Sequence, residues 1–343
     1  MYRLTRIAFQ VERKWLSSSK LCKKRFNASR REYSTKLNTS FVTEHEYRNR
    51  SENFPSLLVW GGVFSFFQSK EEPELIQTIK RAILLMQKDE MKKAEQMLHI
   101  ALKLAQEQQN EDGIVYVLDL MANLAYDMNE HDKAHKLFVS VMQHLFRKGV
   151  QQDDNKIIHI SLKLADNYHK QGEKRKAEEG FKFCLENLEN KLNSGVKDED
   201  TLLLLAMTLD WYAQFVFKSG RYKDAQNLMK RAYDLCVSIN GETSEQVVVL
   251  LNDLGTVSCL QGDLDAALKY LKQATAIGEK FPDMLELGSI YINLGFVYLK
   301  KQMFDEAKRA CVYAREKGRR LKNKEVEDVA ELCLQKIKLP EKV

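Results

Sequence analysis

The sequence predicts an all-α protein made of about six repeated helical hairpins, and three observations indicate this class. First, only 4 Pro and 15 Gly occur among 343 residues, so few positions interrupt a helix. Second, alanine recurs at steps of 40 to 48 residues, at Ala94, Ala134, Ala177, Ala225, Ala267 and Ala307. Third, a small residue lies twelve positions before each of these alanines, at Ala82, Ala122, Ala165, Ala213, Gly255 and Gly295. Such pairs allow the backbones of two antiparallel helices to cross closely.

The best-defined unit surrounds Gly295 and Ala307. Its large residues Tyr291, Leu294 and Tyr298 lie at positions 4, 7 and 11, with Gly295 at position 8 and Ala307 at position 20. This spacing is that of the tetratricopeptide repeat. Five further units fit the same register, so we predict a tetratricopeptide-repeat solenoid over residues 74–343, with a cap helix over residues 325–338. A cap is required because each repeat buries its apolar face only against a neighbour.

The steps between repeats exceed the usual 34 residues. We therefore expect the helices to be about two turns longer than in the standard repeat, as in kinesin light chains. The longest step contains residues 193–200, which we expect to form an exposed loop. Residues 219–222 and 261–264 carry glycine where a first helix must end, and glycine suits the left-handed residue that follows a helix.

Residues 1–33 are typical of a mitochondrial transit peptide. They are rich in Lys, Arg and Ser, and the apolar residues Leu4, Ile7, Val11 and Trp15 recur at helical spacing. A disordered basic arm or a nuclear-targeting run is the alternative. Residues 34–53 are predicted to be a polar linker. The uncharged residues 54–67 are too short for a helical span, so a short anchor, an interfacial segment and a strip packed on the repeats all stay open, with membrane contact preferred.

The net charge of +6 belongs to the N-terminal segment. Ten Lys or Arg and two acidic residues give residues 1–33 a net charge of +8, which leaves −2 for the other residues. The repeats therefore lack the basic composition of a nucleic-acid-binding domain, and we predict no nucleic-acid partner. The six cysteines lack C-x-x-C spacing, so we expect reduced thiols and no structural zinc, at Cys22, Cys184, Cys236, Cys259, Cys311 and Cys333.

Positions 2, 5, 9 and 12 of the first helices line the concave face of such a solenoid, where partners usually dock. Here they include Tyr116, Asp119, Asn123, Tyr126, Asp166, Asp210, Gln214, Phe217, Asn252 and Thr256. Asn and Gln can bond an extended backbone, so we predict a protein-binding groove. An equally open interpretation is that these residues are merely solvated. The Lys and Asn set by which chaperone-binding repeats hold a carboxylate is not present, because Lys163 at position 6 stands alone.

No catalytic pattern emerges from the sequence. His131 and His135 are four residues apart, but the glutamate that zinc proteases place beside the first histidine is replaced by Asp132. We interpret both as surface histidines. No glycine-rich phosphate loop or G-x-S-x-G elbow is found, so we predict no enzyme activity, cofactor, metal or small-molecule substrate.

Three stretches, residues 117–125, 152–165 and 183–189, carry a closer resemblance than the general repeat requires. With the leader and the order of the repeats, the chain resembles the mitochondrial tetratricopeptide repeat protein 19 family. This resemblance implies an inner-membrane protein that binds respiratory complex III and supports its assembly or upkeep. It also implies a role in clearing fragments of the Rieske iron–sulfur subunit. The family brings no catalytic residues.

Two other functions stay open from the sequence. A cytosolic cargo or signalling adaptor of the kinesin-light-chain type would use the same fold, and a cleaved N-terminus would exclude it. A peptidase hidden in the repeats is the third hypothesis, opposed by the missing nucleophile and metal signature.

Overall fold

The computed structural model describes residues 73–281 and 283–338, which form thirteen α-helices and no β-strand. The predicted transit peptide, linker and apolar segment lie outside the described residues. The helices are α1 (Glu74–Gln87), α2 (Met91–Glu107), α3 (Glu111–Asp127), α4 (His131–Arg147), α5 (Asn155–Gln171), α6 (Lys174–Asn193), α7 (Glu199–Lys218), α8 (Tyr222–Asn240), α9 (Glu245–Leu260), α10 (Leu264–Gly278), α11 (Leu287–Lys300), α12 (Phe304–Arg320) and α13 (Lys324–Lys338).

Twelve of these helices follow one another as six hairpins, from α1–α2 to α11–α12, and α13 packs on the last hairpin. This confirms the predicted all-α tetratricopeptide-repeat fold. The cap helix begins one residue earlier than predicted, at Lys324. The described residues belong to two compact units, of which the first ends at Asn187 and the second begins at Leu188.

The pairs of small residues are the points where helices cross. All twelve are buried, and a Cβ on Gly255 would lie 2.6 Å from Cγ of Leu271 and 3.3 Å from the carbonyl oxygen of Ala267. A Cβ on Gly295 would lie 2.4 Å from Sγ of Cys311. Position 8 of the first helix therefore packs directly on positions 20 and 24 of the second helix.

The predicted turns and loop are present. Gly220 and Gly262 have φ angles of +80° and +86°, in the left-handed region that glycine adopts without strain. Residues 194–198 join α6 to α7 and are exposed. Asp198 ends this loop, and its carboxylate accepts a hydrogen bond of 2.9 Å from the backbone N–H of Thr201. This is the N-terminal cap that starts α7.

The cap helix is joined to the last hairpin by a disulfide between Cys311 of α12 and Cys333 of α13. Our expectation that all cysteines are reduced is therefore wrong for this pair. Both residues are fully buried, and Gly295 at position 8 lets the backbone approach Cys311 closely. The thiols Cys184, Cys236 and Cys259 are free and buried, and burial raises their pKa values.

Candidate functional site

The predicted groove residues lie in two groups, one in each compact unit. The N-terminal polar row comes from α3 and α5 and consists of Tyr116, Asp119, Asn123, Tyr126, His159, Lys163, Asp166 and Lys170. The C-terminal polar row comes from α7, α9 and α11 and consists of Asp210, Gln214, Asn252, Asp253, Thr256 and Asn293. In each row, side chains of one first helix bond to the first helix of the next repeat.

Lys163 links the two helices of the N-terminal polar row. Its ammonium group donates a hydrogen bond of 2.5 Å to Oδ1 of Asn123. The Asn123 amide nitrogen in turn donates to the backbone oxygen and the carboxylate of Asp119, at 2.7 and 3.0 Å. Burial lowers the pKa of Lys163, while the carboxylates Asp119 and Asp127 oppose this shift.

A second link in the same row joins Tyr126 to Asp166. The Tyr126 hydroxyl donates to the Asp166 carboxylate, and Lys170 pairs with that carboxylate at 3.2 Å. The Lys170 ammonium also lies 3.6 Å from the centre of the Tyr126 ring, a cation–π contact. Tyr126 and Asp166 are buried, so both have a structural role between repeats.

A small pocket opens at the other end of this row. It is lined by Tyr116, Asp119 and His159, with Val115, Val141, Lys156 and Ile160 around them. Burial raises the pKa of Tyr116, and Asp119 adds to the rise. Burial, followed by the nearby charge of Lys163, lowers the pKa of His159 well below its usual range, so this histidine is neutral at neutral pH.

The C-terminal polar row is held by amide groups. The Gln214 amide nitrogen donates to Oδ2 of Asp253 at 2.7 Å, and the Asn252 amide nitrogen donates to Oδ1 of Asp253 at 3.4 Å. The Asn293 amide nitrogen donates to Oδ1 of Asn252 at 2.8 Å and to the Thr256 hydroxyl at 3.5 Å. These bonds connect three successive first helices.

Asp210 and Asp253 bring like charges into this row. Asp210 is buried, and Asp253 is half-buried. Burial and the charge of Asp210 together raise the pKa of Asp253 to about 7, while the two amide hydrogen bonds oppose the shift. The carboxylate pair therefore loses part of its charge close to neutral pH.

The remaining predicted residue, Phe217, does not belong to either row. It is buried, and its ring centre lies 5.6 Å from that of Tyr222 at the start of α8. Its position in the core gives it a packing role within the hairpin.

Five polar residues of the rows were not predicted: His159, Lys163, Lys170, Asp253 and Asn293. Lys163, Asp253 and Asn293 all lie at position 6 of their repeats, and each bonds to position 9 of the preceding repeat. His159 lies at position 2. The recurrence of a polar residue at position 6 is the sequence signal that could have identified Lys163, Asp253 and Asn293. In these three repeats position 6 faces the preceding repeat.

The two spaced histidines have ordinary packing partners. Nδ1 of His131 and Oδ1 of Asn167 form a hydrogen bond of 2.9 Å. The ring of His135 lies 5.4 Å from that of Tyr168. Across residues 73–281 and 283–338, no group of three or more His, Cys, Asp or Glu is placed to hold a metal ion. Within the same ranges no helix has both the length and the apolar content needed to cross a bilayer.

Solved structures support the fold. The crystal structure of BtubC from P. vanneervenii aligns with a TM-score of 0.55 and 20% identity, covering 73% of this chain and 93% of that one. A Rap protein complexed with competence and sporulation factor aligns with a TM-score of 0.55 and 14% identity, over 96% of this chain and 97% of that one. At these identities the likeness concerns the fold alone.

Sequence comparisons identify the family. A family model described as tetratricopeptide repeat matches residues 204–280. The mitochondrial tetratricopeptide repeat protein 19 homolog of Drosophila melanogaster is 37% identical over 283 residues, which cover 82% of this chain and 76% of the relative. The mitochondrial tetratricopeptide repeat protein 19 of Rattus norvegicus is 37% identical over 246 residues, 69% of this chain and 67% of that protein. The chain therefore belongs to the mitochondrial tetratricopeptide repeat protein 19 family.

Proposed function

We propose that this chain is a non-enzymatic protein-binding factor for the assembly or maintenance of mitochondrial respiratory complex III. Its partners would be complex III subunits, including the Rieske iron–sulfur protein or its fragments, and it would act during turnover of that subunit. Membership of the protein 19 family and the tetratricopeptide-repeat fold support a protein-binding role. The complex III partnership is what the sequence resemblance implies.

One observation supports a binding role: amide side chains of the two polar rows have hydrogen-bond donors and acceptors that are not used within the chain. Asn123, Gln214 and Asn252 are half-buried, so their amides are accessible. An Asn or Gln amide offers two donor hydrogens and two acceptor lone pairs. Asn252 uses one donor on Asp253 and accepts one bond from Asn293, which leaves capacity on both of its polar atoms. An extended peptide backbone has complementary groups.

Immunocapture from gently solubilised mitochondria tests this proposal. We expect tagged protein to recover complex III subunits by mass spectrometry and to co-migrate with the complex on native gels. Recovery of the tagged protein without those subunits, or only from cytosol, would favour the hypothesis of a cytosolic adaptor.

Two substitutions test whether the two polar rows contact complex III. We expect Asn123→Arg and Asn252→Arg to weaken recovery of complex III because each adds bulk and charge to a row. Gln273→Arg is the matched control, since Gln273 is exposed on the second helix α10. Circular dichroism would confirm that all three variants fold. Undiminished capture by both row variants would show that the partner docks elsewhere.

We place the protein at the mitochondrial inner membrane. The composition of residues 1–33 supports import, and the uncharged residues 54–67 support contact with the bilayer. Carbonate extraction of isolated mitochondria tests the contact: we expect part of the protein to stay with the membrane pellet. Complete release into the soluble fraction would exclude a spanning anchor.

A further inference from the structure

The small pocket between α3 and α5 contains a polar group that the chain does not use. The wall of the pocket is aliphatic and comes from Val115 of α3, Val141 of α4 and Ile160 of α5. His159 of α5 also lines the pocket, and its side chain is only 6% exposed. Among the described residues, Nε2 of His159 is buried without a hydrogen-bond partner. A buried nitrogen in this state costs free energy, and a ligand that bonds it would recover that cost.

The repeat fold does not need a polar residue at this position. His159 occupies position 2 of its repeat, where the next two repeats have Met207 and Val249. An apolar side chain at position 2 packs without leaving a buried polar atom unpaired. Since buried polar groups normally have partners, the histidine indicates a ligand rather than a packing role.

The charges around the pocket favour a neutral ligand. Asp119 and Lys156 both line the pocket and are half-buried, so it offers no net charge to a charged group. Lys163 lies one helical turn after His159, and burial together with this neighbouring charge lowers the pKa of His159 well below its usual range. The neutral imidazole has one N–H and one lone pair. It can bond a hydroxyl group in either tautomer, because a hydroxyl both donates and accepts.

The N-terminal polar row can hold the backbone of the same ligand. Asn123 lies one helical turn after Asp119, and Lys163 bonds to Asn123 from α5. His159 in turn lies one turn before Lys163. One turn of an α-helix rises about 5.4 Å, and two residues of an extended peptide cover roughly 6.6 Å. A segment that bonds the Asn123 amide therefore has a side chain within reach of the pocket.

We propose that this pocket binds a threonine side chain from an extended segment of a protein partner. The inference rests on the proposed protein-binding function and adds the chemistry of one anchor residue. The threonine hydroxyl would bond Nε2 of His159. Its methyl group would contact the aliphatic wall formed by Val115, Val141 and Ile160, and the small size of the pocket suits a short side chain. Serine lacks the methyl group, and valine, which has the same shape as threonine, lacks the hydroxyl.

Selection of peptides that bind the purified full-length chain tests the proposal. The probe is a displayed library of random peptides of about ten residues, a length that spans neighbouring repeats at roughly 3.3 Å per residue. The library is first depleted on the variant His159→Leu, which removes both ring nitrogens from the pocket. We expect threonine to be enriched at one position of the recovered peptides. Fluorescence anisotropy then compares the tightest peptide with versions that carry Val, Ser or Phe at that position.

The threonine and valine peptides form a matched pair that isolates the hydroxyl group. We expect the wild-type chain to bind the threonine peptide about ten-fold more tightly than the valine peptide. His159→Leu and His159→Phe should bind both peptides equally, because neither variant has a ring nitrogen, and circular dichroism would confirm that each folds. His135→Leu is the matched control and should keep the wild-type preference, since the ring of His135 packs on Tyr168 outside this pocket.

A selection that recovers no peptides, or recovers them without enriched threonine, would overturn the proposal. So would a threonine preference that persists in both His159 variants. Equal binding of the threonine and valine peptides by the wild type would also overturn it, because a water molecule would then satisfy Nε2. Complex III capture separates this result from the proposed function. If capture succeeds but His159→Leu keeps the threonine preference, the threonine inference fails alone. If the peptides behave as expected but capture fails, the complex III assignment fails while the chemistry of the pocket stands.

Discussion

The side-chain amide of Gln214 in α7 donates a hydrogen bond of 2.7 Å to Asp253 in α9, and so joins position 9 of one repeat to position 6 of the next. Asn123 and Lys163 make the equivalent contact in the other compact unit. Thr256 and Asn293 repeat it at 3.5 Å. The positions that usually contact a partner in this fold therefore also connect neighbouring repeats.

Replacing Gln214 by alanine should lower the free energy of unfolding by about 1–2 kcal/mol, because Asp253 loses a close donor in a half-buried place. Urea unfolding followed by circular dichroism measures this change. Gln273→Ala is the matched control on the exposed side of α10, and it should change stability by less than about 0.5 kcal/mol. Equal effects of the two substitutions would show that the contact adds nothing to stability.

Asp253 should make stability depend on pH. An isolated Asp carboxyl has a pKa of 3.8. In the folded chain, burial and the negative charge of Asp210 raise the pKa of Asp253 to about 7. The folded state therefore binds more protons between these values, and stability falls as pH rises from about 4 to 7. The variant Asp253→Asn has no carboxyl at this position, so its stability should not fall in this way as the pH rises. We expect its advantage over the wild type to grow by about 3 kcal/mol across that range and to level off above pH 8.

Unfolding in urea at several pH values measures this difference directly. Asp210→Asn is the informative companion, because removing its charge should lower the pKa of Asp253 and move the loss of stability to lower pH. A difference between wild type and Asp253→Asn that stays constant from pH 4 to pH 8 would contradict the prediction.

Gly255→Ala should destabilise the chain by about 1–3 kcal/mol, although alanine normally favours a helix. The added Cβ would lie 2.6 Å from Cγ of Leu271, a fully buried side chain. In a Leu271→Ala background the same substitution should cost clearly less, since the Leu271 atoms are gone and only the Ala267 carbonyl oxygen, at 3.3 Å, stays close to the added Cβ. A double-mutant cycle measures this coupling, and simple additivity would show that the crossing point is not tight.

The disulfide between Cys311 and Cys333 should stabilise the last hairpin and α13 by about 2–4 kcal/mol, because it closes a loop in the unfolded chain. Thermal unfolding with and without a reducing agent measures this effect. The double variant Cys311→Ser, Cys333→Ser should show no response to the reducing agent. Alkylation of both cysteines in unreduced, denatured protein would mean that the bond is absent.

The repeat fold was predictable because its strongest signal is local and periodic. Each pair of small residues at positions 8 and 20 defines one crossing of two helices, as Gly255 over Ala267 shows. The cap helix followed from the apolar face that carries Val326 and Ala330, both buried as expected. The disulfide was not predictable, since a separation of 22 residues between Cys311 and Cys333 carries no signal until α13 is docked.

The candidate site was predicted only in part. Asn123, Gln214 and Thr256 came from the face that the repeat pattern assigns to partners. Their bonding partners at position 6 depend on how far each hairpin turns relative to the preceding one, and a single sequence does not give that rotation. Asp253 shows the consequence: its importance comes from the closeness of Asp210, 43 residues earlier in the chain.

The links between first helices limit where the chain can change length. Their partners are 37 to 41 residues apart, and all of them lie inside helices. One residue inserted within a first helix would rotate the following side chains by about 100° and take them out of the row. The longest step between repeats instead contains the exposed residues 194–198. Insertions and deletions among relatives should therefore concentrate in such loops, while the first helices keep a constant length.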